Sequence, residues 1–209
     1  MWAYVKDGSI VQTNNFQTNL IINNTNFPTK YANEWTPDQK KAYGVYEVEE
    51  VNRSNLKDGN YYVNDDGTLA YDSSGDKVTL TYGTATAKEI ADTKWTQKEI
   101  DDGDAPDGAD TNTVKEEGLK TKLIRQVKQQ AEGELNKTDW YVVRKAEEST
   151  AIPSAVTTHR KAVRSKQAEM DTAITNASDT PALETLYTYT EQEAGSITRP
   201  LGELPTKNF

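Results

Sequence analysis

Carboxylates outnumber the other charged groups of this chain, 33 Asp and Glu against 24 Lys and Arg, and two stretches gather them closely enough for chemistry. Residues 101–110 hold Asp101, Asp102, Asp104, Asp107 and Asp110 among two Gly and a Pro, and clustered carboxylates are what a hard cation such as Ca²⁺ requires. The spacing of Asp102, Asp104 and Asp107-Gly108 misses the calcium-loop pattern by a residue, and no Glu follows at the twelfth position. A solvated linker is the reading adopted. Glu47, Glu49 and Glu50 offer the paired carboxylates of a glycoside hydrolase. They fall on a strand-like alternation and point most simply to water, with no surrounding signature of a raised pKa. Phosphate-binding glycine loops, nucleophile elbows and metalloprotease motifs are lacking. The absence of Cys excludes disulfides and thiolate metal sites, and the single His159 cannot build a histidine metal cluster. The expectation is a protein without catalysis, cofactor or metal.

Two other groups point to binding. Arg160, Lys161, Arg164 and Lys166 form the one local basic patch, with Arg160 and Arg164 on one helix face at i, i+4. They suit a phosphate or an acidic partner; a solvated face is the competing reading. His159, on the apolar side of the same segment, reads as a packed, hydrogen-bonded residue. Thr138-Asp139-Trp140 has the form of a structural corner, in which Thr138 or Asp139 caps a helix and Trp140 drives a large side chain into whatever lies beneath. Trp and Arg are typical residues of binding hot spots. Trp140, Tyr141, Arg144, Arg160 and Arg164 are therefore the candidate partner-binding residues, with Thr138 and Asp139 as the corner.

The elements that must position these groups change character along the chain. Trp2–Val5 and Ser9–Gln12 around Asp7-Gly8 predict a hairpin. Residues 13–30 are rich in Asn and Thr and predict loops or an edge strand around Leu20-Ile21-Ile22. Thr36-Pro37-Asp38-Gln39 is a capping box that opens a short helix over 37–43, stopped by Gly44. Val45–Val51 alternates apolar and acidic residues as a strand with one wet face. Tyr61–Val63, Thr68–Tyr71 and Lys77–Thr84 predict an antiparallel meander. A second box, Thr96-Gln97-Lys98-Glu99, starts another short helix. Beyond the acidic segment the period becomes helical: Leu119, Leu123, Val127, Ala131 and Leu135 form one stripe, and Val156, His159, Val163, Met170 and Ile174 another. Thr180-Pro181 predicts a last helix carrying Leu183, Leu186 and Tyr187.

The expected fold is thus α+β: a β-rich N-terminal domain over 1–100, an acidic linker over 101–112, a helical module over 113–190 and an extended tail over 191–209. Apolar residues make up only 34% of the chain. About five apolar side chains per stripe, at ~1.5–3 kcal/mol each, leave little margin over backbone ordering costs of ~1–2 kcal/mol per residue. A partner would add to that margin. Residues 1–112 carry 10 Lys and Arg against 19 Asp and Glu, whereas residues 113–209 carry 14 of each. Such an acidic first half repels nucleic-acid backbones. No apolar run reaches the ~18 residues of a membrane span, and the start Met1–Asp7 lacks the features of a secretory leader.

Leu135–Trp140, preceded by Arg125 and followed by His159-Arg160-Lys161-Ala162-Val163-Arg164, resembles the tail assembly chaperone domains of bacteriophages. His159 stands where that family has Tyr, and Val163 where it has Leu. The likeness covers about a quarter of the chain. A wider one, to tail-associated proteins of aquatic phages, is carried by Met1–Lys6, Trp35 with Gly44-Val45-Tyr46, Tyr82–Ala87 and Arg199–Glu203. The resemblance implies a protein that binds a phage tail fibre or spike, helps it fold or trimerise, and acts in the host cytoplasm during assembly or stays in the virion tail. The expected partners are the fibre or spike and other tail proteins, with oligomerisation through the partner, and neither nucleic acid nor membrane. A glycan-binding adhesin built on the Tyr-, Trp- and Asn-rich N-terminal domain is the alternative, and a polysaccharide-cutting enzyme the last.

Overall fold

Asp7 and Gly8 both take left-handed backbone, φ 51° and 78°, the requirement of a tight primed turn between antiparallel strands. They join β1 (Trp2–Lys6) to β2 (Ser9–Asn14). Asn23 and Asn24, at φ 46° and 62°, do the same between β3 (Leu20–Ile22) and β4 (Thr25–Phe27). This computed structural model describes residues 1–14, 19–28, 34–193 and 195–207. They divide into two compact units, Met1–Thr86 and Ala87–Phe209.

In the first unit the Thr36 box is complete: the Gln39 N–H donates to the Thr36 hydroxyl, and the Thr36 N–H donates to Gln39 Oε1 at 2.8 Å. It opens α1 (Pro37–Ala42). Gly44 then turns the chain at φ 72°, where a Cβ would stand 2.5 Å from the Val5 carbonyl oxygen. Only Gly permits that approach, which lets the Val5 N–H reach the Gly44 carbonyl at 2.8 Å. β5 (Val45–Val51) follows, then β6 (Tyr62–Val63), β7 (Thr68–Asp72), β8 (Lys77–Thr81) and, at the junction of the units, β9 (Thr86–Ala87).

The main sheet has the order β2-β1-β5-β8-β7. β1 is buried on both faces, so Trp2-Ala3-Tyr4-Val5 are all covered. Trp2 and Tyr4 join Leu20, Ile22 and Val45 on one side. Ala3 and Val5 join Tyr46 and Val78 on the other. The meander expected over 61–84 forms as a hairpin only between β7 and β8, and β6 lies outside this sheet. The Asp65 carboxylate accepts the N–H of Gly67 at 2.7 Å and of Gly83 at 3.1 Å, tying the loop after β6 to the end of β8. β8 instead lies parallel to β5, a pairing between distant segments that local patterns do not announce.

The second unit corrects the expected linker. The acidic segment is not the junction between units; it is a loop within this one. β10 (Thr93–Lys94) and β11 (Val114–Glu116) pair antiparallel around it. The second capping box opens α2 (Gln97–Asp101), and the Asp110 carboxylate accepts the N–H groups of Asn112 and Thr113, each at 2.9 Å. Acidic residues that bond their own backbone order a loop as readily as they solvate one.

α3 (Leu119–Asn136), α4 (Asp139–Glu148), α5 (Ser154–Asn176) and α6 (Thr180–Tyr187) follow. The first N–H groups of α3 are satisfied from residues 89–92: Gly118 by Asp92 Oδ1 at 2.8 Å, Leu119 by the Glu89 carbonyl at 3.0 Å and Lys120 by the Ile90 carbonyl at 3.1 Å. A Cβ at Gly118 would stand 2.4 Å from the Ala91 carbonyl, so a side chain would push this brace away. α3 packs on α5 with Leu119, Leu123, Val127 and Ala131 against Val156, His159, Val163, Met170 and Ile174, all buried as their spacing predicts. Asp179, not Thr180, caps α6 by accepting the Ala182 N–H at 2.8 Å, while the Thr180 hydroxyl donates to the Lys88 carbonyl.

The tail is not extended. β12 (Thr190–Glu191) pairs with β13 (Ile197–Thr198). Arg199 stands over the rings of Tyr187 and Tyr189, 5.2 Å from each centroid, and pairs with Glu203 at 2.8 Å. Leu201 is buried, and its N–H donates to the Leu186 carbonyl. Among the described residues no helix is long and apolar enough to cross a membrane.

Candidate functional site

The turn from α3 into α4 is built from three polar side chains and leaves none of them idle. Thr138 is fully buried, and its hydroxyl donates to the Leu135 carbonyl at 2.8 Å. Arg160 reaches across from α5, where Nη1 donates to the Leu135 carbonyl at 2.8 Å, to Thr138 Oγ1 at 2.8 Å and to Asp139 Oδ1 at 2.7 Å. Its side chain is 12% exposed and that of Asp139 48%. Charge-assisted bonds from a planar guanidinium hold geometry well. The corner is therefore stiff.

Two expectations change here. Thr138 does not cap α4, because its hydroxyl turns back to the end of α3. Arg160 serves the corner, whereas Arg164, one turn along α5, is exposed. The two arginines do not act as one anion site.

α4 itself presents the larger surprise. Trp140 does not enter the core: it is 60% exposed, with Val143 49% and Val142 40% exposed, and no residue of α4 is buried. Four successive apolar residues, Trp140-Tyr141-Val142-Val143, exceed one turn of about 3.6 residues. They point in every direction around the helix, so a single neighbour cannot cover them. The Arg144 guanidinium lies 5.1 Å from the Trp140 centroid and 5.6 Å from that of Tyr141, within cation–π range. A partly apolar surface results, with an aromatic ring and a cation in contact. The exposed Val142 and Val143 extend the apolar area.

Sequence reasoning missed two features of the first unit. Phe27, Trp35 and Tyr43 form an aromatic cluster, with Trp35 and Tyr43 stacked at 5.0 Å and 20° and Phe27 edge-on to Trp35 at 5.4 Å. Tyr43 is 50% exposed. The signal lay in Trp35 and Tyr43 flanking the capped helix. The second is a cleft of about 460 Å³ between α1, β5 and the β7–β8 turn. At its edge Tyr46 Oη donates to Asp76 Oδ1 at 2.7 Å, and Lys41 Nζ meets Asp76 Oδ2 at 2.9 Å. The Tyr71 hydroxyl, burial and the Asp76 charge push the Tyr46 phenol well above its ordinary range. Lys41 and then Tyr46 hold the Asp76 carboxyl below its own.

Glu49 pairs with Lys77 at 3.4 Å and Glu50 with Arg53, and Glu47, Glu49 and Glu50 are all exposed. Among the described residues no group of three or more His, Cys, Asp or Glu is placed to hold a metal ion. No protein-family model, curated protein or solved structure matches the chain.

Proposed function

We propose that this chain is a non-catalytic binding protein whose α4 face, centred on Trp140 and Arg144, docks on another protein. The observation that carries the reading is the exposure of Trp140, Val142 and Val143 on a helix whose entry is fixed by the Thr138–Arg160 corner. Contiguous exposed apolar surface marks interaction sites. A Trp stacked on an Arg has the composition of a hot spot, and a rigid base removes the ordering cost that a flexible one would incur on binding. The partner proposed is a phage tail fibre or spike chain, as the likeness of the Thr138-Asp139-Trp140 region to tail assembly chaperones implies. Fibre chains expose strand edges and apolar faces before they trimerise, and an acidic protein carrying a docking face suits the task of covering them. The proposed place of action is the host cytoplasm during assembly, or the tail itself. Co-expression with the fibre or spike gene, followed by co-purification and mass spectrometry of purified particles, tests this. The expected result is a complex that forms with wild type and is lost with Trp140→Ser. A fibre that trimerises identically without the protein, and never co-purifies with it, rejects it.

The aromatic cluster Phe27–Trp35–Tyr43 favours a second reading, a glycan-binding adhesin, because sugar rings stack on exposed aromatic faces. Glycan-array binding that is lost with Tyr43→Ser and unaffected by Trp140→Ser would select it over the first.

A further inference from the structure

Six charged side chains line the cleft of the first unit: Lys40 and Lys41 from α1, Glu47 and Glu49 from β5, and Asp76 and Lys77 from the β7–β8 turn. Two pairs neutralise each other, Lys41 with Asp76 and Lys77 with Glu49. Lys40 and Glu47 are left over. Lys40 is 8% exposed, and its ammonium stands 3.5 Å from the centroid of the buried Trp2 ring. Among the described residues this ammonium has no hydrogen bond and no ion pair. A buried charge normally has a counter-charge, and a π face returns only part of the lost hydration. Glu47 lies directly opposite Trp2 in the β1–β5 register, and it too has no ion pair among the described residues.

We infer that this cleft binds a small carboxylate flanked by hydrogen-bond donors, the carboxylate meeting Lys40 and a hydroxyl or ammonium meeting Glu47. A simple anion would satisfy Lys40 and leave Glu47 unanswered. A neutral molecule would leave the Lys40 ammonium uncompensated. A ligand bearing both functions answers both residues, and a cleft of about 460 Å³ has room for one sugar-sized or amino-acid-sized molecule. Sugar acids and free amino acids share this chemistry. None of the residues lining the cleft belongs to α4 or to the aromatic cluster, so its failure leaves both readings above untouched.

The test is a titration of the full chain with glucuronate, L-alanine and acetate, followed through the backbone amide resonances of Lys41, Glu47 and Asp76. Saturable shifts with glucuronate alone identify a sugar acid as the source, and with alanine alone an amino acid; either supports the site. Acetate should bind at least roughly tenfold more weakly. Lys40→Met keeps the stem over Trp2 and removes the charge, and Glu47→Gln removes the acceptor charge. Each should weaken binding by roughly tenfold or more, while Lys40→Arg stays within about threefold of wild type and Lys128→Met, in the other unit, is unchanged. The inference is overturned if none of the probes saturates, if acetate binds as tightly as the others, or if Lys40→Met binds like wild type.

Discussion

α5 and α4 belong to one unit and are bridged by Arg160, yet they treat apolar residues in opposite ways. α5 repeats them at helical spacing, and Val156, Val163, Met170 and Ile174 all disappear against α3. α4 bunches them, and Trp140, Val142 and Val143 stay in contact with solvent. Spacing rather than content separates the two. A stripe makes a core, because one neighbouring helix covers all of it. A consecutive run cannot be covered from one side, and whatever covers the remainder must come from elsewhere. Stability therefore resides in the α3–α5 seam and available binding surface in α4, and the corner keeps one from disturbing the other.

Substitutions at four sites test this division. The largest effect belongs to the seam: Ile174→Ala should cost ~2–5 kcal/mol in denaturant unfolding followed by helix content, since Ile174 is fully buried. A loss as small as that of a surface change would dissolve the distinction. Next is the corner. Arg160→Met leaves Asp139 without its donor and the Leu135 carbonyl with Thr138 alone, and should cost ~1–3 kcal/mol, with hydrogen exchange rising in α4 before α5. Arg160→Lys should restore it only in part, because all three bonds come from Nη1 and the lysine side chain ends one atom short of that position.

A smaller and pH-dependent effect tests whether the seam is indifferent to the loop beyond it. Lys115, then the Thr96 N–H and hydroxyl, lower the Glu99 carboxyl to about 2 from 4.5. A depressed acid contributes stability above its unfolded value and loses it as pH falls from about 4.5 towards about 2. Hydrogen exchange at the Thr96 amide, referred to an unstructured control, should accelerate across that window. In Glu99→Gln the excess should be flat with pH, and the α3–α5 amides should stay protected in both.

What the sequence made legible is what it encodes locally. Both capping boxes form with the partners their spacing demands, Thr36 with Gln39 and Thr96 with Glu99. The two helical stripes are buried as read, His159 included, except that Leu135 at the end of the first is only half-buried. The losses come from contacts between distant residues. Composition marked 101–112 as a linker, yet Asp110 folds that loop on its own backbone. The tail lacked periodicity, yet Arg199 between two tyrosines fastens it. Of the candidate site, Thr138, Asp139 and Arg160 were legible as residues that matter, but not which of them would be buried. Trp140 was expected to point inward. The buried position at that corner is filled by Thr138, a smaller side chain whose hydroxyl the α3 terminus can use.

Trp140 carries the smallest expected effect on folding and the largest on association, so it decides the account. Melting and capture of the co-expressed fibre or spike chain should be measured on the same preparations of wild type and Trp140→Ser. Exposed substitutions usually change stability by under ~0.5 kcal/mol, less than about 3 °C for a unit of this size. The account predicts an unmoved melting curve and lost capture. A fall of many degrees, or capture as strong as wild type, would contradict it.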